Sequence, residues 1–184
     1  MIILASASPR RKELLSRICD FEVRPSRCDE DCAERDPDAL VRELSLRKAR
    51  AAEKDADKKD VIVAADTVVY FKDAILGKPR DRAEAYEMLR ALSGRAHTVF
   101  TGVTVIKDGE AHTFCDRTRV TFYRLSEELI REYVESGEPL DKAGSYGIQG
   151  KGCLLVKRIE GDFFNVMGLP VARLYRLLTR IGGI

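Results

Sequence analysis

A run of five consecutive apolar residues, Val61–Ala65, constrains the fold of this chain more than any other feature. A strand with one face in water alternates apolar and polar residues, whereas an uninterrupted run is typical of a strand covered on both faces. The residue at the exit of this run is Asp66. The chain therefore needs layers of structure on both sides of at least one strand, and a carboxylate follows that strand directly.

Signals for helices and hairpins surround this run. Favoured N-cap residues predict helices that begin after Ser8, Asp36, Asp81 and Ser126. Turn dipeptides predict hairpins at Lys72-Asp73 and at Asp108-Gly109. A further strand is predicted over residues 153–159 and a last helix over residues 171–181. Helices among strands and long hairpins indicate an α/β or α+β protein with helices packed on the faces of a sheet.

The composition is ordinary for a soluble domain, with 45% hydrophobic and 34% charged residues in a chain of 184. Lysine and arginine number 32 against 30 acidic residues, so there is no general basic surface and no stable nucleic-acid binding is expected. No apolar run approaches the roughly 20 residues of a membrane span. The five scattered cysteines suit free thiols in a reducing compartment. These features predict one soluble, cytoplasmic domain over residues 1–184 without membrane association.

The start of the chain has the pattern of an anion-binding site. A short predicted strand, Ile2–Leu4, precedes Ser8, Pro9, Arg10 and Arg11. Ser8 and Pro9 favour the first turn of a helix, whose free N–H groups attract anions. Because guanidinium groups match phosphate oxygens bidentately, a polyphosphate is the preferred ligand. The alternative is a capped surface helix with solvated arginines.

Acidic residues supply the candidates for catalysis. A carboxylate at the end of a buried strand needs a partner or a cation, which makes Asp66 the leading catalytic residue; the alternative is that it caps the next turn. The stretch Asp29-Glu30-Asp31 offers oxygen ligands for a hard divalent cation, or else forms a solvated loop.

Several segments, in order, resemble the Maf family of nucleoside triphosphate pyrophosphatases. They are Ser6–Arg11, Ala65–Val69 followed by Gly77-Lys78-Pro79, Asp141–Gly150 and Asn165–Pro170. The resemblance implies an elongated α/β fold in two lobes, with a mixed sheet and flanking helices similar to the inosine triphosphate pyrophosphatases. It also implies a cleft between the lobes and a homodimer.

The resemblance assigns a role to individual residues. It implies that Asp66 accepts a proton from the attacking water, and that Glu30 and Asp66 hold one divalent cation, Mg²⁺ or Mn²⁺. The residues expected to contact the triphosphate are Ser8, Arg11, Lys48 and Lys78.

Three positions are similar to one branch of the family. Arg10, Thr67 and Gln149 match the residues of dTTP and UTP pyrophosphatases, whereas the branch acting on 7-methyl-GTP has an aromatic residue, glutamine and glutamate there. The expected reaction is hydrolysis of dTTP and UTP, with modified pyrimidine nucleotides as further candidate substrates, to the monophosphate and pyrophosphate. It would serve nucleotide pool cleaning. The alternatives are 7-methyl-GTP hydrolysis, or a nucleotide-sensing regulator of septum formation, since the family is also connected with cell division arrest.

Overall fold

The structure, a computed structural model, describes all 184 residues of the chain. Its strands are β1 (Ile2–Leu4), β2 (Glu22–Val23), β3 (Val61–Phe71), β4 (Ala74–Leu76), β5 (Ala96–Lys107), β6 (Glu110–Phe122) and β7 (Val156–Glu160). Its α-helices are α1 (Pro9–Leu15), α2 (Pro37–Glu53), α3 (Arg82–Leu92), α4 (Glu127–Glu135), α5 (Phe163–Met167) and α6 (Val171–Arg180). Short 3₁₀ helices cover Glu138–Asp141, Ala143–Ser145 and Gly150–Leu155.

The strands form one mixed sheet in the order β2-β1-β3-β5-β6-β7, with β4 paired to β3. β1 is parallel to both β2 and β3, whereas β4 runs antiparallel to β3, and β7 antiparallel to β6. The predicted α/β fold class, a mixed sheet with flanking helices, is confirmed. β3 extends well past the apolar run that predicted it, so Asp66 and Thr67 lie within the strand.

Local signals in the sequence located most element boundaries correctly. The predicted N-cap side chains each accept a hydrogen bond, at 2.8–3.5 Å, from the backbone N–H three residues later; they are Ser8, Asp36, Asp81 and Ser126. Asp108 and Gly109 have φ values of 52° and 80°, as a two-residue hairpin turn requires. The strand predicted from residue 153 was wrong at its start, because Gly150–Leu155 is 3₁₀ and β7 begins at Val156.

The residues group into two compact units. The first consists of Met1–Thr67, Thr101–Asp116 and Gly168–Ile184, and the second of Val68–Phe100 and Arg117–Met167. None of the helices is long and apolar enough to cross a bilayer.

The first unit contains α1, α2 and α6. Small side chains line one of its apolar clusters, which consists of Ala5, Ala49, Ala52, Ile62, Ala64 and Ile106. Gly102 on β5 also allows α2 to approach the sheet closely, because a Cβ at this position would collide with the carbonyl oxygen of Val41 on α2. α2 therefore lies close to the strands, and its Lys48 reaches β3.

The second unit has a larger apolar core, contributed by strands, by α3 and α4, and by the 3₁₀ segments. Its buried members are Val69, Ala85, Leu89, Leu92, Val99, Val120, Phe122, Leu125, Ile130, Tyr133, Val134, Tyr146 and Leu155. Tyr146 and Leu155 bring the glycine-rich stretch of the sequence into this core. That stretch is therefore anchored by buried side chains.

Candidate active site

Asp66 is paired with a lysine. Its side chain is buried, with the residue only 8% exposed, and its Oδ1 accepts a hydrogen bond from Lys48 Nζ at 2.5 Å. Lys48 lies on α2, one turn before the last buried residue of that helix, Ala52. The side chain of Lys48 is mostly shielded from water. A charge taken out of water needs such a partner, so the pair explains how a carboxylate is tolerated at this depth.

Glu30 converges on the same lysine. Its Oε1 lies 3.3 Å from Lys48 Nζ, although Glu30 itself belongs to an exposed segment without regular secondary structure. Arg47 holds that segment by donating from Nη1 to the carbonyl oxygen of Asp31 at 2.8 Å. The structure thus brings together Glu30, Lys48 and Asp66, and the two carboxylates contact the single ammonium group of Lys48.

Arg11 organises a second cluster. Its Nε donates to the carbonyl oxygen of Gly168 at 2.9 Å, its Nη2 to Thr67 Oγ1 at 3.1 Å and its Nη1 to Ser6 Oγ at 3.4 Å. Burial lowers the pKa of the Arg11 guanidinium from its ordinary value, and the charge of Asp66 opposes that shift. Arg11 therefore fixes the hydroxyl of Thr67, the residue next to Asp66.

Two further residues support Thr67. Its Oγ1 lies 3.0 Å from Thr101 Oγ1, in a hydrogen bond whose donor can be either hydroxyl, and Thr101 is fully buried. Gly168 has a φ of 107°, a conformation that favours glycine, and this presents its carbonyl oxygen to Arg11.

Ser8 and Arg10 flank Arg11. The hydroxyl of Ser8 caps α1, and its backbone N–H donates to Ser6 Oγ at 3.2 Å. The charge of Arg10 adds to the lowering of the Arg11 pKa, so two guanidinium groups share this region. The start of α1 is therefore the positively charged part of the first unit's site.

Lys78 and Gln149 belong to the second unit. Lys78 is exposed, and the carbonyl oxygen of its neighbour Gly77 accepts from the backbone N–H of Gly144 at 3.0 Å. Gln149 is half-buried between two 3₁₀ segments. Within this unit, the segment carrying Lys78 is thus joined to the glycine-rich stretch carrying Gln149.

Sequence reasoning missed Ser6, Thr101 and Gly168 as supporting residues. Gly168 lies in the stretch Asn165–Pro170 that the sequence had singled out without a role, and its glycine was the available signal. Thr101 carried no signal, because a threonine in an apolar strand is ordinary and its partner is 34 positions away.

Together, the fold and the site define a mixed α/β protein with a buried carboxylate–lysine pair beside an arginine-rich helix start. The family model described as Maf-like protein matches residues 1–181, and the chain belongs to this family. The resemblance inferred from the motifs is confirmed. Membership of the family indicates a divalent metal requirement in general.

Similar proteins from several organisms are named "dTTP/UTP pyrophosphatase". A relative from Thermosipho africanus is 51% identical over 184 residues, covering 100% of this chain and 94% of its own. One from Bacillus anthracis is 52% identical over 182 residues, covering 97% and 94%. One from Thermococcus kodakarensis is 49% identical over 178 residues, covering 96% and 95%.

Proposed function

We propose that this protein hydrolyses dTTP and UTP to the nucleoside monophosphate and pyrophosphate. The observation that carries the proposal is the buried Asp66 paired with Lys48, with Glu30 on the same ammonium group. Relatives at about half identity over nearly the whole chain bear the name of this activity, which favours it over 7-methyl-GTP hydrolysis.

Asp66 is the proposed general base. In this proposal Lys48 contacts Oδ1 and so orients the carboxylate, and Oδ2 accepts the proton of an attacking water. A positioned base contributes typically 10²–10⁴-fold to such a reaction. We infer that Lys48 also donates to a phosphate oxygen of the substrate.

The donor set fits a hard divalent cation. Mg²⁺ and Mn²⁺ take oxygen ligands, and Mg²⁺ keeps several waters while using only one or two protein carboxylates. The carboxylates of Glu30 and Asp66 lie close to each other, since both contact Lys48 Nζ, and they would hold the ion with Lys48 turned toward a phosphate. When bound, the ion would neutralise negative charge on the phosphates and the departing pyrophosphate.

The remaining positive groups bind the triphosphate in this proposal. Arg11 has five N–H donors and uses three of them within the protein, which leaves two for phosphate oxygens. Ser8, at the start of the same helix, and Lys78, in the second unit, contribute a hydroxyl and a point charge.

In this proposal Arg10, Thr67 and Gln149 recognise the pyrimidine ring of the nucleotide. The hydroxyl of Thr67 accepts one hydrogen bond from Arg11 and shares another with Thr101, so its orientation is set before substrate arrives. The amide of Gln149 can donate and accept at once, which suits the edge of a neutral uracil or thymine ring.

The cytoplasmic location and the homodimer stay predictions, to be checked by fractionation and by light scattering.

The test is a panel of nucleoside triphosphates with the purified protein and Mg²⁺ or Mn²⁺. We expect dTTP and UTP to give monophosphate and pyrophosphate, and Asp66→Asn to remove this turnover. Release of orthophosphate, or no turnover with either metal, would refute the proposal. Faster turnover of 7-methyl-GTP than of dTTP would assign the protein to the branch of the family that acts on 7-methyl-GTP.

A further inference from the structure

One carboxylate anchors the segment that carries Gln149. Glu138 Oε1 accepts hydrogen bonds from the Tyr133 hydroxyl at 3.0 Å and from the backbone N–H of Gly152 at 3.2 Å. Its Oε2 accepts from the backbone N–H of Lys151 at 3.1 Å. Two of these three donors are backbone amides only two and three residues beyond Gln149. Glu138 therefore fixes the main chain on the C-terminal side of Gln149, the residue proposed to recognise the pyrimidine ring.

Tyr133 anchors the other side of the same segment. Its hydroxyl donates to Glu138 and accepts from the backbone N–H of Gly147 at 3.0 Å, two residues before Gln149. Tyr133 is 2% exposed and lies in the core of the second unit. Burial raises the pKa of its hydroxyl, so the group keeps its proton throughout the neutral range. One tyrosine and one glutamate thus hold the segment Gly147–Gly152 from both ends.

The glycines of this segment are required by the same contacts. Gly150 has a φ of +62°, and a Cβ at this position would lie 2.8 Å from Glu138 Oε2. A Cβ on Gly152 would lie 2.7 Å from the Tyr133 hydroxyl and would collide with the carbonyl oxygen of Gly147. Since real Cβ atoms do not approach this closely, only glycine lets the backbone reach the two anchors. The three glycines of Gly147–Gly152 therefore belong to a closely packed segment.

We propose that Glu138 and Tyr133 are specificity-positioning residues that hold Gln149 for recognition of the pyrimidine base. This rests on the proposed function, in which Gln149 reads the base. The contacts demand an acceptor-only group at position 138, because a hydroxyl and two amides all donate to it. Neither residue touches the reacting phosphate in this scheme; both act through the backbone around Gln149.

The discriminating variants are Glu138→Gln and Tyr133→Phe. The glutamine keeps the size of the side chain but turns one acceptor into a donor that faces another donor. The phenylalanine keeps the core packing and removes only the hydroxyl. Glu135→Gln, an exposed position at the end of α4, is the matched control. We expect both variants to raise KM for dTTP about 5- to 100-fold with a smaller change in kcat, and the control to change neither.

Two further readouts separate positioning from general instability. The ratio of kcat/KM for dTTP over dCTP should fall in both variants, because the amide of Gln149 is no longer held in register. Hydrogen exchange at the amides of Gly147, Lys151 and Gly152 should become faster, while amides of β1 in the first unit keep their protection.

The outcomes distinguish this proposal from the function it rests on. Folded variants with wild-type KM and an unchanged dTTP preference overturn the positioning role and leave dTTP hydrolysis standing. Unchanged exchange at the three amides overturns it as well, whatever the activity. If the wild-type protein does not hydrolyse dTTP or UTP, the function fails, and the positioning role fails with it even where exchange confirms the anchoring contacts.

Discussion

Acid should destabilise this protein through one buried histidine, His97. It is 3% exposed, its Nε2 lies 2.7 Å from the Tyr146 hydroxyl, and the rings of Phe122 and Tyr146 pack edge-on at 4.9 and 5.3 Å. Its Nδ1 has no hydrogen-bond partner in the protein. A protonated ring would therefore carry a buried N–H donor without an acceptor, and burial lowers the pKa of His97 from 6.5 to about 4.

The sign and size of the effect follow from the two pKa values. Because the folded value lies below the unfolded one, the unfolded chain binds the proton first as pH falls, and stability is lost between pH 6.5 and about 4. At about pH 5 the unfolded ring is mostly protonated and the folded ring largely neutral. At about 1.4 kcal/mol per pKa unit, the free energy of unfolding should drop by about 2 kcal/mol between pH 7.5 and pH 5.

The assay is urea unfolding of the wild type and of His97→Gln at both pH values. Glutamine can hydrogen bond to Tyr146 but does not titrate, so the variant should lose about 2 kcal/mol less on acidification than the wild type. The other histidine, His112, is present in both proteins, and its contribution cancels in the comparison. Equal losses in the two proteins would refute the conclusion that His97 is neutral and buried in the folded state.

Other predictions concern the site itself. Asp66→Asn should lower kcat by about 10²–10⁴-fold with nucleotide binding largely kept, measured by pyrophosphate release and calorimetry; near wild-type turnover would move the base elsewhere. Thr101→Val removes one hydrogen bond from Thr67 and should raise KM for dTTP about 2- to 10-fold, whereas Thr101→Ser should not; equal effects of the two would contradict the role of the hydroxyl. Gln149→Glu should lower kcat/KM for dTTP about 5- to 150-fold, and an unaltered value would show that other residues read the base.

Much of the candidate site could be proposed from the sequence because its residues lie in short, recognisable segments. Asp66 follows a buried apolar run, and Ser8 and Arg11 stand at a helix start whose cap is local in sequence. What these segments could not indicate was the pairing between them. Lys48 was expected to contact the triphosphate, and the structure shows it in an ion pair with Asp66, which lies 18 positions away on another element.

Local interactions determined some features of this protein, and long-range packing determined the others. N-caps, hairpin turns and apolar runs act between residues a few positions apart, so the sequence by itself determined the class of fold, most element boundaries and the candidate catalytic carboxylate. The start of the 3₁₀ segment Gly150–Leu155 was decided by a distant group, because Glu138 accepts hydrogen bonds from the backbone N–H groups of Lys151 and Gly152. Only the tertiary structure could bring those donors and acceptors together, since no local pattern records which distant group will satisfy a given backbone amide.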